Sequence, residues 1–428
     1  MRRRRLRDAA AAGRRALKAA LSALPYWRLS GYYFFHFAFI GVFSPYFSLY
    51  LKSLSFSAWD IGLLMSQMQL MRMFAPYLWG ALADRSARRT PIIRLAAAIS
   101  LFAFVAFFFT KSLAGLLAAM ALLAFFWSAT LPLVETQTFD HLRDEPARYS
   151  RIRVWGSIGF IVAVAGVGAL LEHWPIGSLL WMLLATLVGI LACSLLLPEA
   201  PTQRTDSAPP PRIGDILRQK RVRALLAACF AMSAAHGAYY VFYSIHLSAN
   251  GYGTALVGGL WSLGVVAEIG VFLVMAPLMR RFSLRTILLV SFAAAVLRFL
   301  LIGWYVELPL VAAGAQLLHA LTFGSHHAAA IAAVNRWFPG RAQGRGQALY
   351  SSLSFGAGGL LGALVSGWSW DALGAGITFT LCSLFALAGL LLVLFGVREE
   401  EGTPPGADAP TMTNSLAAPG DSRQEARP

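Results

Sequence analysis

Residues 59–90, WDIGLLMSQMQLMRMFAPYLWGALADRSARRT, and residues 255–286, ALVGGLWSLGVVAEIGVFLVMAPLMRRFSLRT, are one kind of segment met twice. Each is a long apolar stretch that closes on a cluster of arginines. Superimposed by a shift of 196, Gly62 meets Gly258, Leu82 meets Leu278, Arg85 meets Arg281, Arg89 meets Arg285 and Thr90 meets Thr286. Just upstream, Leu51 meets Leu247 in the same register. A hydrocarbon core about 30 Å thick takes roughly 20 apolar residues in helical form, so both segments read as membrane crossings that end on a basic loop. The register weakens after the third crossing of each half.

Working outward, such stretches begin near Arg28, Trp59, Pro91, Leu113, Ser150 and Gly177, and again near Arg223, Ala255, Thr286, Leu308, Arg345 and Gly376. Only helices and closed barrels satisfy their backbone polar groups inside a bilayer, and these runs are of helical length. The sequence therefore predicts an all-α membrane protein with twelve transmembrane helices in two six-helix pseudo-symmetric bundles. With 57% hydrophobic and 13% charged residues and a mean hydropathy of +0.61, the 428-residue chain has too little charge for a soluble protein. The expected boundaries are a basic N-terminal segment 1–27, a bundle 28–198, a linker 199–222, a bundle 223–397 and a disordered tail 398–428. The linker holds Pro209, Pro210 and Pro211 and then the basic stretch Arg212 to Arg223, read as a helix lying along the inner leaflet.

The net charge of +16 is a topology signal and not the footprint of a nucleic acid. With the arginine-rich N-terminus placed in the cytoplasm, the basic connections Arg85/Arg88/Arg89, Arg143/Arg148, Arg204 to Arg223, Arg280/Arg281/Arg285, Arg341/Arg345 and Arg398 all fall on that side. Lys52 and Lys111 remain outside, with Asp60, Glu172, Glu307 and Asp371 near the same face. Both termini are then cytoplasmic. The first 27 residues carry neither an apolar core nor a cleavage site of the signal-peptide kind. Cys193, Cys229 and Cys382 lie within crossings without metal-type spacing, so no metal, cofactor or disulfide is expected.

Charges inside the crossings single out a site, because a charged side chain at the bilayer centre costs on the order of 2.5–3.5 kcal/mol on insertion scales and usually faces a cavity or a partner. Under the shift of 196, Arg72 of the second crossing meets Glu268 of the eighth. Quasi-symmetry sets them at similar depth on opposite walls of one cavity. Arg298, His319 and the pair His326/His327 lie at membrane depth in the second half, and Glu268, Arg298 and His319 can form one hydrogen-bonded cluster able to hold a proton. Glu135 and Arg153, at similar depth on antiparallel helices, are expected to form an ion pair, serving either as a structural lock or as a substrate contact. His36, His236 and His246 read as interhelical hydrogen-bonders. Phe34, Phe35, Tyr239, Tyr240, Tyr243 and Trp261 are candidates for an aromatic wall.

The run Gly80-Ala-Leu-Ala-Asp84-Arg-Ser-Ala-Arg-Arg89 resembles the signature between the second and third spans of the major facilitator superfamily, with Ala87 where a second glycine is usual. The resemblance implies a cytoplasmic gate made by Gly80, Asp84, Arg85, Arg88 and Arg89; the counterpart at Arg280 has lost the Asp. A more specific likeness runs from about Trp27 to Val397. It is carried by Gln69-Leu-Met-Arg72, Arg151-Ile-Arg153-Val-Trp-Gly-Ser, His236-Gly-Ala-Tyr-Tyr240, Trp261-Ser-Leu-Gly-Val-Val-Ala-Glu268 and Gln316-Leu-Leu-His319-Ala-Leu-Thr-Phe-Gly324. These resemble the phenylpropionic acid permease branch, itself similar to the lactose/proton symporters. The latter likeness implies that Glu135 and Arg153 contact substrate and that Glu268, Arg298 and His319 couple it to protons. Thr322 stands where those symporters carry a carboxylate, which leaves Glu268 as the proton site. The fifth crossing has glycines but no proline of the drug/proton antiporter kind, so drug efflux is less favoured.

The expectation is a monomeric carrier of a bacterial-type inner membrane that imports a small organic solute with protons. An aromatic carboxylate is favoured, held by Arg72, Glu135, Arg153, Tyr240 and Trp261. A sugar or nucleoside symporter stays open as an alternative, as does a membrane sensor that transports nothing. No GxxxxGK[ST], HExxH or other local catalytic signature is present, which argues against an enzyme.

Overall fold

A computed structural model describes residues 25–86, 88–142, 148–200 and 213–397, without the side chains of Asp84 and Arg341. The N-terminal segment up to 24, residues 201–212 of the linker and the tail from 398 lie outside the described residues.

All regular secondary structure among the described residues is helical. The spanning helices are α1 Tyr26–Ser53, α2 Ala58–Ser86, α3 Thr90–Phe108, α4 Leu113–Leu142, α5 Arg148–Leu171 and α6 Ile176–Leu196, then α7 Lys220–Ala249, α8 Thr254–Arg281, α9 Leu284–Tyr305 and α10 Pro309–Trp337. The last helical stretch, Gln343–Gly396, contains two more, α11 up to Leu373 and α12 from Ala375. The chain reverses at Gly374, whose φ of 82° is a left-handed conformation that glycine adopts without strain. The Oγ1 of Thr378 lies 3.0 Å from the Oγ of Ser369, nine residues back, which only a reversal allows. Helix α2 is the most charged of the twelve, with Asp60, Arg72, Asp84 and Arg85, and falls short of the apolarity of a typical span. Twelve crossings result, each starting within three residues of the position read from hydropathy.

Large apolar side chains such as Phe102, Leu273 and Leu310 are 72%, 78% and 89% exposed, as suits a surface solvated by lipid tails and not by water. The basic stretch before α7 differs from expectation. It forms a short helix, Gly214–Arg218, that breaks at Gln219 (ψ 129°), and the residues from Lys220 belong to α7 itself.

Two helices depart from α geometry where the chain carries small and polar residues. Helix α10 passes through a π-turn at Ala320–Ser325, and α11 through another at Ser352–Gly358. Such wide turns recur at functional sites because they re-aim side chains. Helix α7 is interrupted at His236 beside Gly237. A Cβ on Gly237 would come 2.5 Å from the Cα of Gly362 in α11, so glycine at both positions lets the backbones touch.

The two halves meet along paired seams at the end of the molecule opposite the Arg85–Arg89 run. Helix α2 packs on α11, where a Cβ on Gly62 would meet the Cα of Gly367 at 2.9 Å. Helix α8 packs on α5, where a Cβ on Gly258 would meet the carbonyl oxygen of Val164 at 2.6 Å. Tyr46 of α1 fills the second seam, donating to Val164 O at 2.7 Å.

Candidate functional site

A cavity of about 700 Å³ lies between the halves and is lined by α1, α2, α4 and α5 on one side and α7, α8, α10 and α11 on the other. Helices α3, α6, α9 and α12 contribute nothing to its wall. Arg72, Glu135, Arg153, Tyr240, Trp261, Glu268 and His319 all face it, so residues spread over 248 positions of sequence converge on one space.

Arg72 and Glu268, paired by the repeat, line the same cavity without touching. The Nη1 of Arg72 approaches Gln69 Oε1, one turn away on α2, at 3.4 Å. Glu268 Oε2 stands 4.0 Å from His319 Nε2.

The expected ion pair between Glu135 and Arg153 is not formed. Glu135 accepts from the Tyr149 hydroxyl at 3.3 Å, while the Arg153 guanidinium lies over the Phe37 ring, 3.9 Å from its centroid. Gly156 makes that stacking possible, because a Cβ there would sit 2.7 Å from Arg153 Nη1. A planar, weakly hydrated guanidinium can stack on an aromatic face as well as pair with a carboxylate. Among the described residues, neither Arg72 nor Arg153 has a carboxylate oxygen within 4.0 Å.

The expected cluster of Glu268, Arg298 and His319 divides in two. Arg298 is wholly buried behind the cavity wall, under Tyr239 with its guanidinium 4.2 Å from the ring centroid, and is not part of the lining. It donates to Ala315 O at 2.8 Å and to Thr322 Oγ1 at 3.3 Å. Its Nη1 also lies 3.4 Å from His236 Nε2. The other ring nitrogen of His236 lies 2.8 Å from Met232 O and must donate there, which leaves Nε2 as an acceptor. His236 thus does the structural bonding expected of it and also faces the cavity. His246, bonded to Ile302 O at 3.1 Å, is structural. His36 departs from the expected hydrogen bonding: it stacks on Trp127 with ring centroids 4.5 Å apart, and its buried Nδ1 has no hydrogen-bond partner among the described residues.

The aromatic wall differs from expectation in its first half. The Phe35 ring turns away onto Gly189, Phe34 packs edge-on against it with centroids 5.3 Å apart and is likewise outside the lining, and the rings that face the cavity include Phe37, Phe39, Phe43, Trp127 and Phe160. In the second half Tyr239, Tyr240 and Trp261 face inward, Tyr239 and Trp261 with centroids 4.6 Å apart, while Tyr243 is buried behind them. Two lining residues not singled out from the sequence are Tyr149 and Tyr350, the latter joined to His327 at 2.9 Å across α10 and α11. Their only signal was a polar atom in an apolar span.

Of the gate residues, Gly80 has open space about it, Arg85 and Arg88 are exposed, and the Asp84 side chain lies outside the described set. Arg89 pairs with Asp140 of α4, within its own half. Its amide and that of Thr90 donate to Glu199 at 2.8 and 3.1 Å. No group of three or more His, Cys, Asp or Glu able to hold a metal occurs among the described residues.

The family described as MFS_1 like matches residues 26–381. The chain is 30% identical over 374 residues to a probable 3-phenylpropionic acid transporter of Escherichia coli (strain K12), covering 86% of this chain and 96% of that one. It is 27% identical over 380 residues to a maltose permease of Geobacillus stearothermophilus, covering 86% and 94%. A crystal structure of the nucleoside transporter NupG superimposes with a TM-score of 0.75 at 18% identity, covering 88% of this chain and 99% of that one, a likeness of fold alone. By family match, by relatives and by its two six-helix halves around a central cavity, the chain belongs to the MFS_1 like family of the major facilitator superfamily and is a multi-pass membrane transporter, not an enzyme.

Proposed function

We propose that the chain imports a small aromatic carboxylate, of the phenylpropionate type, together with protons by alternating access across a bacterial inner membrane. The observation that carries this reading is the pair of guanidiniums, Arg72 and Arg153, on the cavity wall with no carboxylate within ion-pair distance among the described residues. Two guanidiniums with no carboxylate at contact distance keep their donors for an anionic guest, and a guanidinium grips a carboxylate through two parallel hydrogen bonds. Phe37, Phe39, Trp127, Tyr240 and Trp261 offer the aryl group rings on both sides. The name of the Escherichia coli relative supports the same chemistry.

In this reading Glu268 takes the proton, His319 beside it tunes that exchange, and Arg298 holds the Thr322 and His236 side chains that back the site. Glu135 and Tyr149 orient the substrate. The basic end of the molecule is cytoplasmic, with both termini there, and Gly80, Asp84, Arg85, Arg88 and Arg89 form the gate on that side. The functional unit is a monomer of two bundles, 28–198 and 223–397.

A sugar or nucleoside symporter is the second reading, favoured by the maltose permease among the relatives. Uptake of labelled 3-phenylpropionate, maltose and a nucleoside into proteoliposomes, with and without an inward proton gradient, separates them. Gradient-driven accumulation of maltose or the nucleoside without the aromatic acid would overturn the carboxylate reading. No flux of any solute in either direction would favour the sensor.

A further inference from the structure

Each seam that shuts the end opposite the basic run carries a carboxylate from one half seated on the first turn of a helix from the other half. Asp371, at the end of α11, accepts from the backbone amide of Ala58, the first residue of α2, at 2.8 Å. Glu172, just past α5, accepts from the amide of Ala255 and from the hydroxyl of Thr254, both at 3.0 Å, at the start of α8.

The two contacts are related by the internal repeat. Ala58 and Thr254 differ by 196, like Gly62 and Gly258, while Asp371 and Glu172 differ by 199, like Gly367 and Gly168. In both seams the carboxylate stands four residues after its own helix's contact glycine, and the amides it holds lie three or four residues before the partner's glycine. One helical turn outside each close backbone contact, a negative charge therefore meets a helix N-terminus.

The physical need is visible at α8. Its first amides have no carbonyl partner within the helix. The preceding residue, Gly253, has no side chain to cap them, so Glu172 from the other half serves in its place. At α2, Ser57 and Asp60 bond one another at 2.7 Å within their own turn, and Ala58 is left to Asp371. A carboxylate at a helix N-terminus is stabilised by the aligned peptide dipoles as well as by its hydrogen bonds.

These bonds exist only while the halves touch at this end. We propose that Glu172 and Asp371 are a symmetric pair of outer latches that bias the transporter toward the state closed on the side opposite the basic run, and that both must release before the cavity opens there. Separation leaves each carboxylate and each amide to water, so the latches tune the equilibrium without locking it. The inference rests on the alternating-access reading above, but not on the identity of the solute or on proton coupling.

The test reads access to the cavity directly. A thiol is placed in the wall by Ser157→Cys, and its labelling by a membrane-impermeant maleimide is timed in right-side-out and inverted vesicles without added solute. The chain without that substitution supplies the background from Cys193, Cys229 and Cys382. Glu172→Gln and Asp371→Asn keep shape and remove charge. Each is expected to speed labelling from the outside about two- to fivefold, and the pair to give roughly the product, while labelling from the inside slows. Asp60→Asn, which removes a carboxylate of the same face held by Ser57 of its own turn, is expected to change neither rate.

Unchanged outer labelling in the double variant would overturn the proposal. So would an equal rise in Asp60→Asn, which would mean a general surface-charge effect. A rise from both sides at once would mean a loosened fold instead of a shifted gate, and would overturn it as well. Because no solute is present, failure of the aromatic-acid uptake assay leaves this measurement intact.

Discussion

Glu268 of α8 and His319 of α10 face each other across the cavity wall with Oε2 and Nε2 4.0 Å apart, too far for a hydrogen bond and close enough that the charge of one is felt by the other. A small movement of either helix would bring the two atoms within hydrogen-bond distance.

If Glu268 carries the proton, Glu268→Gln abolishes uphill uptake while substrate exchange persists, because Gln mimics the protonated acid and cannot release its proton. A ligand shifts an equilibrium only through differential affinity for its states. Wild-type binding therefore weakens as rising pH deprotonates Glu268, and binding to Glu268→Gln stays flat. Calorimetric titration at several pH values checks this; a sloping profile in the variant moves the proton elsewhere, with His319 and Glu135 next to be examined.

Arg72→Ala and Arg153→Ala each raise KM for an aromatic carboxylate by roughly 10- to 100-fold, the range of one charge-assisted hydrogen bond. Arg72→Lys rescues poorly, since an ammonium lacks the planar fork. Gly156→Ala produces a milder version of the Arg153 defect by pushing the guanidinium off Phe37. Uptake kinetics with purified, monodisperse variants decide these outcomes, and wild-type KM in Arg72→Ala would remove Arg72 from the site.

Gly237→Ala destabilises the second half by about 1–3 kcal/mol, because its new methyl meets the backbone of Gly362 and neither helix can yield locally. A lowered melting temperature in detergent is the expected reading. Gly80→Ala, with nothing within 4 Å of the added methyl, leaves it unchanged.

Glu172 lies outside the membrane-spanning segments. The amide of Ala255 and the hydroxyl of Thr254 hold its carboxyl below the usual carboxylate range, and the neighbouring His173 acts in the same direction when charged. A lowered value means the latch is at full strength above the ordinary carboxylate pKa of about 4.3 and is lost as pH falls through the lowered one. The ratio of outer labelling between Glu172→Gln and wild type thus stays constant from about pH 8 to 5 and approaches one only in stronger acid. A ratio that collapses near neutrality would mean another group controls this seam.

The twelve crossings, the basic face and the internal repeat are legible in the order of residues alone, because the bilayer enforces a one-dimensional rule. Segments such as 91–108 and 179–196 have to be apolar over the full hydrocarbon thickness, and the chain between them has to be polar. The same order also shows which residues are too costly to lie in lipid, which is why Arg72, Glu135, Arg153, Glu268 and His319 were legible as candidates and why all of them face one cavity.

How those charges are used follows from packing between distant segments. Whether Arg153 pairs with Glu135 or stacks on Phe37 depends on a space opened by Gly156, and Arg298 is kept out of the cavity by its place under Tyr239, bonded to Ala315 and Thr322. Glu172 and Asp371 read as ordinary acidic residues of an outer loop face, since their partners are backbone amides 83 and 313 residues away that carry no side-chain signature. A helix dipole and a shared pocket exist only once distant segments are packed together, and no local pattern of residue types encodes them.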